Sequence, residues 1–290
     1  MKYKIKIKEI IMDVKRAAIK KIRSIFHQFG IEISKYETEA NRARKQQFDK
    51  WETLAEILII NLNRRQENRT TKFENDFIKF IADNFRKSKS QIFQDLLVLF
   101  LLEEKEHGYF VEFGATNGIS FSNTYLLEKG FHWKGVLAEP GRVWHKDLAQ
   151  NRDCRIDRRC VWDISDEHLQ FNETECAELS TVNELTKKDS LAIGRINNKK
   201  YLVETVSLNE LLMQSNAPAS IDFMSIDTEG SELRILSQFN FNKYRVNVIC
   251  VEHNFSEPDR ADIYELLVKN GFERVFTEYS YFDDWYVNSK

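Results

Sequence analysis

From about residue 108 onward the chain alternates short apolar runs with amphipathic stretches, and this alternation restricts its fold more than any other feature. The runs are "GYFVEFGA" (108–115), "KGVLAEP" (134–140), "CRIDRRCVW" (154–162), "IDFMSID" (221–227), "VNVICVEH" (246–253), "FERVFTEY" (272–279) and "YFDDWYV" (281–287). Helical patterns fill 119–130, 141–150, 207–215, 230–239 and 259–270. Strands alternating with helices predict a parallel sheet covered on both faces. The last two runs are joined by a tight link around Tyr279 and Ser280, so an antiparallel hairpin is expected at one edge. The α/β fold expected is thus a mostly parallel seven-stranded sheet with an antiparallel terminal strand.

Upstream the texture is helical. Ile10, Val14, Ala18, Ile22 and Ile25 recur at three- and four-residue steps, as do Phe48, Trp51, Leu54 and Leu58, then Phe73, Phe77, Phe80, Ile81 and Phe85. A helical N-terminal region over 1–87 is therefore expected before a main domain over 88–290. Residues 1–23 hold nine Lys or Arg against Glu9 and Asp13, although the whole chain has a formal charge of −2. The basic amphipathic helix expected over 8–29 can lie on an anionic membrane surface, or pack on neighbouring helices or a second subunit. Its expected partners are accordingly the inner face of a membrane or another copy of the chain. The polar stretch 163–200 interrupts the regular pattern and reads as a substrate-side insertion.

The near-neutral charge gives no basic stripe of the kind that announces nucleic-acid binding. Cys154, Cys160, Cys176 and Cys250 show no CxxC spacing and suit buried thiols in a reducing compartment. With no signal-peptide pattern and no run of spanning length, a cytoplasmic location is expected.

In open α/β sheets ligands bind beyond the carboxyl ends of the strands. The first strand ends in "VEFGATNG", where Gly114 and Gly118 let backbone approach a ligand and Glu112 places a carboxylate beside it. Neither GxGxxG nor GxxxxGK[ST] is present, which argues for a ligand without a pyrophosphate. Glu139, about twenty-five residues beyond Gly114, ends the second strand, where an acid can accept both hydrogen bonds of a ribose diol. The fourth strand runs into "SIDTEGSEL", which places Asp227, Glu229 and Glu232 around Gly230. Of these, Asp227 ends the strand, and Glu232 suits a helix start, where the macrodipole favours an acid.

"GYFVEFGATNGISFSNTYLLEK", "WKGVLAEP", "VSLNELL", "IDFMSIDTEGSELRIL", "VICVEHN" and "DDWYV" stand in the order and spacing of the FkbM-type S-adenosylmethionine-dependent methyltransferases, which this chain resembles from about Ser90 to Tyr286. The resemblance implies a class I methyltransferase (Rossmann-like) fold and O-methylation of sugar or natural-product hydroxyls. Carried over, it implies that Glu112, Gly114, Ala115, Asn117 and Gly118 hold the methionine part of S-adenosyl-L-methionine. Glu139 would hold the ribose, Asp163 or Val161 would lie near the adenine, and Asp227 would stand at the boundary with the substrate. Glu112 is one methylene longer than the aspartate frequent in the family.

Methyl transfer is an in-line displacement that chiefly needs both reactants held close, and a sugar hydroxyl also needs a general base or a metal. Candidates for this chemistry are His253, Asp227 and Glu229. His253 has the ordinary pKa best placed for a base near neutrality. Asp227 and Glu252, on neighbouring strand ends, suit oxygen ligation of a divalent metal such as magnesium. "DTEG" replaces the Pro-Pro-aromatic turn expected where a flipped base is methylated, which argues against a nucleic-acid substrate. The expected activity is therefore O-methylation of a sugar hydroxyl in surface-glycan or lipopolysaccharide biosynthesis. Methylation of a small natural product and a non-catalytic cofactor-binding scaffold are the alternatives.

Overall fold

A computed structural model describes residues 39–174, 180–182, 185 and 198–289. The amphipathic stretch 8–29, Cys176 and part of 163–200 lie outside them. The chain divides into a unit ending at Gln46 and a second from Gln47 to its end. The second unit carries the sheet.

Its helices are α1 (Glu39–Gln66, which begins in the first unit), α2 (Lys72–Asn84), α3 (Gln94–Leu101), α4 (Tyr125–Phe131), α5 (His145–Asn151), α6 (Leu208–Gln214), α7 (Glu232–Ser237) and α8 (Glu257–Lys269). The strands are β1 (Tyr109–Phe113), β2 (Lys134–Ala138), β3 (Arg155–Asp157), β4 (Cys160–Trp162), β5 (His168–Thr174), β6 (Thr181–Val182), β7 (Asn198–Ser207), β8 (Ser220–Ile226), β9 (Arg245–Glu252), β10 (Phe272–Val275) and β11 (Asp283–Asn288). Seven of them form one sheet in the order β10-β11-β9-β8-β1-β2-β3. β1 pairs in parallel with β2 on one side and β8 on the other, so the strand order reverses beside β1. A crevice at the carboxyl ends of the strands forms at such a switch point.

The C-terminal pair forms the expected antiparallel hairpin at one edge of the sheet. β11 is antiparallel to both β9 and β10 and lies between them, so β10 forms the edge and the sheet is mixed. Burial explains the arrangement. Trp285 and Tyr286 are both fully buried, so β11 needs cover on both faces, whereas β10 is partly exposed and tolerates an edge. Buried Asp284 ties the edge together by accepting two hydrogen bonds from Arg260 at 2.9 Å and one from Arg274 at 3.0 Å.

The run 154–162 splits into two strands. The Asp157 carboxylate accepts from the Arg159 backbone amide at 2.9 Å and from its guanidinium, which turns the chain between β3 and β4. β4 then leaves the main sheet for a second one ordered β4-β7-β5-β6, built largely from the region expected as an insertion. Three of the bonds that tether this flap to the main sheet's loops end on backbone groups there. Thr181 Oγ1 donates to the Glu229 carbonyl at 3.2 Å, Tyr201 Oη accepts from the Arg142 amide at 2.9 Å, and Glu173 accepts from the Val143 amide at 3.2 Å.

The core runs across the boundary expected at residue 87. Leu54, Ile57, Phe77 and Ile81 from the helices share one apolar cluster with Phe110, Phe223 and Trp285 of the sheet. α2 starts at a capping box in which Thr71 and Glu74 satisfy each other's backbone amides. No helix among the described residues is long and apolar enough to cross a membrane.

Candidate active site

The turn after β1 is built around backbone contact. Gly114 has φ +73°, and a Cβ there would stand 2.1 Å from the carbonyl oxygen of Asp227. The ends of β1 and β8 therefore meet main chain to main chain, which only glycine permits. Asn117 shapes the next bend by accepting from the amides of Ile119 at 2.9 Å and Ser120 at 2.8 Å. Fully buried Arg152 holds the loop from behind, donating to the Gly118 carbonyl at 3.2 Å, Ser122 Oγ at 3.1 Å, Thr124 Oγ1 at 2.8 Å and Glu128 at 2.7 Å. Gly114→Ala should cost about 1–3 kcal/mol for the left-handed backbone alone, before the collision with Asp227 is relieved. A lower melting temperature together with lost cofactor binding, read by thermal denaturation and calorimetry, is the expected result.

Beyond this turn opens a cavity of about 340 Å³, within the range of small-molecule sites. Of the residues expected to hold a cofactor, Glu112, Gly114, Glu139 and Asp227 line it, whereas Ala115, Asn117, Gly118 and Asp163 do not. Val161 and Trp162 supply the wall after β4; Asp163 turns away and lies 3.6 Å from Arg234. From the flap, Phe171, Thr181 and Val182 face the cavity.

Glu112 is taken up internally. Its carboxylate accepts from the Asn123 amide at 2.6 Å, Thr124 Oγ1 at 2.5 Å and Ser122 Oγ at 3.0 Å, and lies 3.6 Å from Arg152. Glu139 accepts from the amides of Thr116 at 2.9 Å and Gly141 at 2.7 Å. Burial pushes its carboxyl up to about 7, against those two hydrogen bonds and with help from the charge of Asp227. Asp283, which accepts from Gln94 at 2.8 Å, is likewise pushed by burial to about 7.

A carboxyl whose pKa is raised on folding binds its proton more tightly in the native state. Stability from Glu139 and Asp283 is therefore greatest below about pH 4 and falls as pH rises to about 7, where each costs on the order of 3 kcal/mol. Melting temperature without ligand should drop from pH 5 to pH 8, and Asp283→Asn should flatten that slope.

The "DTEG" turn supplies the remaining acids. Oxygens of Asp227, Glu229 and Glu252 all lie within 4.8 Å of one another. Enclosure raises the pKa of Asp227 and, together with the charge of Asp227, raises Glu252 well above its ordinary value. The three can share protons or surround a divalent cation. Glu232 has a different task, closing its own turn by accepting from the amides of Thr228 at 2.9 Å and Gly230 at 3.0 Å at the start of α7.

His253 is not brought to this wall. Along β9 and just past it, Cys250, Glu252 and Asn254 line the cavity, so the intervening His253 points to the other face. There its Nδ1 accepts from the Phe255 amide at 3.0 Å and its Nε2 lies 3.9 Å from Asp284, beside a separate pocket of about 20 Å³. The sequence reading missed Asp283, Gln94 and Arg152. Asp283 and Gln94 sit beside apolar runs that dominate the local pattern, and a lone arginine after a helix carries no local signal.

The model of the methyltransferase FkbM domain matches residues 112–274, more than half of the chain. No curated protein matches significantly. Among solved structures, a precorrin-6y C5,15-methyltransferase from Geobacter metallireducens is 12% identical with a TM-score of 0.36, covering 67% of this chain and 85% of its own. A Pyrococcus horikoshii protein proposed as an RNA methyltransferase is 10% identical with a TM-score of 0.33, covering 67% and 82%. Likenesses at such scores carry no information on chemistry.

Proposed function

This chain belongs to the methyltransferase FkbM domain family, and from that premise we propose that it transfers the methyl group of S-adenosylmethionine to a hydroxyl of a sugar. Membership makes it a methyltransferase and implies use of that cofactor. The observation that carries the finer reading is the set of carboxyl groups on the cavity wall. Glu112, Glu139, Asp227, Glu229, Glu252 and Asp283 line it, and no Lys, Arg or His does among the described residues. Such a wall favours a sulfonium and an ammonium and suits polyols, whose hydroxyls donate to carboxylates.

S-adenosylmethionine supplies an electrophilic methyl on sulfonium sulfur. Gly114 lets the backbone pass close to it, and Glu139 retains lone pairs for the ribose diol. Asp227 with Glu252 would form the acid pair that takes the acceptor's proton as the acceptor oxygen–methyl bond forms and the sulfur–methyl bond breaks, releasing S-adenosylhomocysteine. Phe121 and Phe282 give apolar surface to the face of a sugar ring. The spacing of Asp227, Glu229 and Glu252 favours a second reading, in which a magnesium-like ion lowers the acceptor's pKa instead.

Calorimetry with S-adenosylmethionine, followed by detection of S-adenosylhomocysteine and methylated product from free and nucleotide-linked sugars, tests the proposal. Binding with turnover of a sugar supports it. Turnover only of a non-sugar hydroxyl moves the function to natural-product methylation, and binding without any turnover leaves a scaffold. Activity lost in EDTA and restored by magnesium selects the metal reading. Cytoplasmic placement at a membrane's inner face rests on residues 8–29, and flotation with anionic liposomes, full chain against a 1–30 deletion, tests it. The oligomeric state follows from sedimentation of the same two forms.

A further inference from the structure

Glu112 has a problem as receptor for the cofactor's ammonium group. One of its oxygens is bonded to the Asn123 amide and the other to Ser122 and Thr124, with the Arg152 guanidinium beside them. Its charge already has a cationic partner. Asn123 presents the opposite case. It is 9% exposed and lines the cavity; its amide nitrogen donates to Ser225 Oγ at 2.9 Å, and its Oδ1 has no partner among the described residues. Of the buried side-chain atoms without partners among the described residues, it is the one belonging to a residue on the cavity wall.

We infer that Asn123 Oδ1 receives the α-ammonium of the cofactor's methionine portion, with Glu112 as the positioning residue behind it. The role rests on the cofactor assigned above. Asn123 is pinned twice, by Glu112 at its backbone amide and by Ser225 at its side-chain nitrogen, so the oxygen is held in place without being used. A buried acceptor left unpaired is costly, and an ammonium donor removes that cost with a charge-assisted hydrogen bond. The position fits the cofactor's shape. Glu139 follows β2 on one side of β1, whereas Asn123 is bonded to Ser225 of β8 on the other, so ribose and ammonium can be held on opposite sides of the sulfonium.

The test is calorimetry on the full chain with three probes. S-adenosylhomocysteine has the amine and carboxylate, its decarboxylated form keeps only the amine, and 5′-methylthioadenosine has neither. Asn123→Ala should weaken the two amine-bearing probes about 10–100-fold, the range expected for a hydrogen bond to a charged group, and leave 5′-methylthioadenosine within about twofold. Equal weakening of all three overturns the role, as does no change in any, or weakening confined to the carboxylate-bearing probe. Should the alanine variant not fold, Asn123→Asp keeps an acceptor in the same shape. Amine-bearing probes held at or above wild-type affinity at pH 8 then support the role, and their selective loss rejects it. Wild-type protein that binds none of the probes removes the cofactor, and this role with it, whereas wild-type binding with an unselective variant rejects the role alone.

Discussion

Asp227→Asn should lower methyl transfer by about 10²–10⁴-fold, the range for loss of a general base. Affinity for S-adenosylhomocysteine should stay within a few-fold, because the substitution removes a proton acceptor and keeps the shape of the side chain. Asp227 and Glu252 titrate as a unit: enclosure raises both, and the charge of Asp227 raises Glu252 further, while the hydrogen bond from Glu252 favours an ionised Asp227. Wild-type turnover should therefore rise with pH as the pair loses its shared proton, and Asp227→Asn should remove that limb of the profile. His253→Ala is the matched control. Its ring faces Asp284 on the far side of β9, so turnover should survive. A variant that keeps turnover at Asp227 and loses it at His253 would reverse the assignment.

Arg152→Met should be the most destabilising single substitution near the site. Its side chain is fully buried between Glu128 and Glu112, and breaking a buried pair by removing one partner costs about 3–5 kcal/mol. For a chain of this size that is a fall of roughly 10 °C or more in melting temperature. Its pH dependence separates charge from packing. Burial opposes ionisation of Glu128, but Arg152 and the Asp153 amide together hold the carboxyl below its ordinary range. That contribution is present above the unfolded value and is lost as pH falls through the folded one. The gap between wild type and variant should thus be widest at neutral pH and shrink in acid, as the stranded carboxyls take up protons. A gap independent of pH would mean that packing alone is lost.

Both predictions concern residues that local pattern did not distinguish equally well. The parallel sheet was readable because period-two and period-3.6 patterns alternate with short links, and the Gly114 turn because glycine in that position has few other uses. The parity of β9 was also present in the sequence. Counting outward from Cys250 puts Glu252 and Asn254 on one face and His253 on the other, yet the imidazole's convenient pKa outweighed geometry in the reading. Glu112 could not be settled that way, since its partners Ser122, Asn123 and Thr124 come back to it through a loop of left-handed residues such as Thr116 and Phe121. The placement of β11 inside the sheet depends on how completely Trp285 and Tyr286 are covered, a tertiary quantity with no local signature.

Three tethers of the second sheet end on main-chain groups of the loops they hold, the carbonyl of Glu229 and the amides of Arg142 and Val143, and a fourth is the Arg142 guanidinium, which donates to the Leu202 carbonyl at 3.2 Å. Main-chain groups are supplied by almost any residue, so substitutions in those loops leave those three attachment points in place. The loops can then drift at Glu229 and Val143 without releasing the flap, whereas the flap stays docked only while it keeps the side chains of Thr181, Glu173 and Tyr201. If 163–200 shapes the acceptor site, exchanging that segment between related chains with Glu173 and Thr181 kept should carry acceptor preference with it.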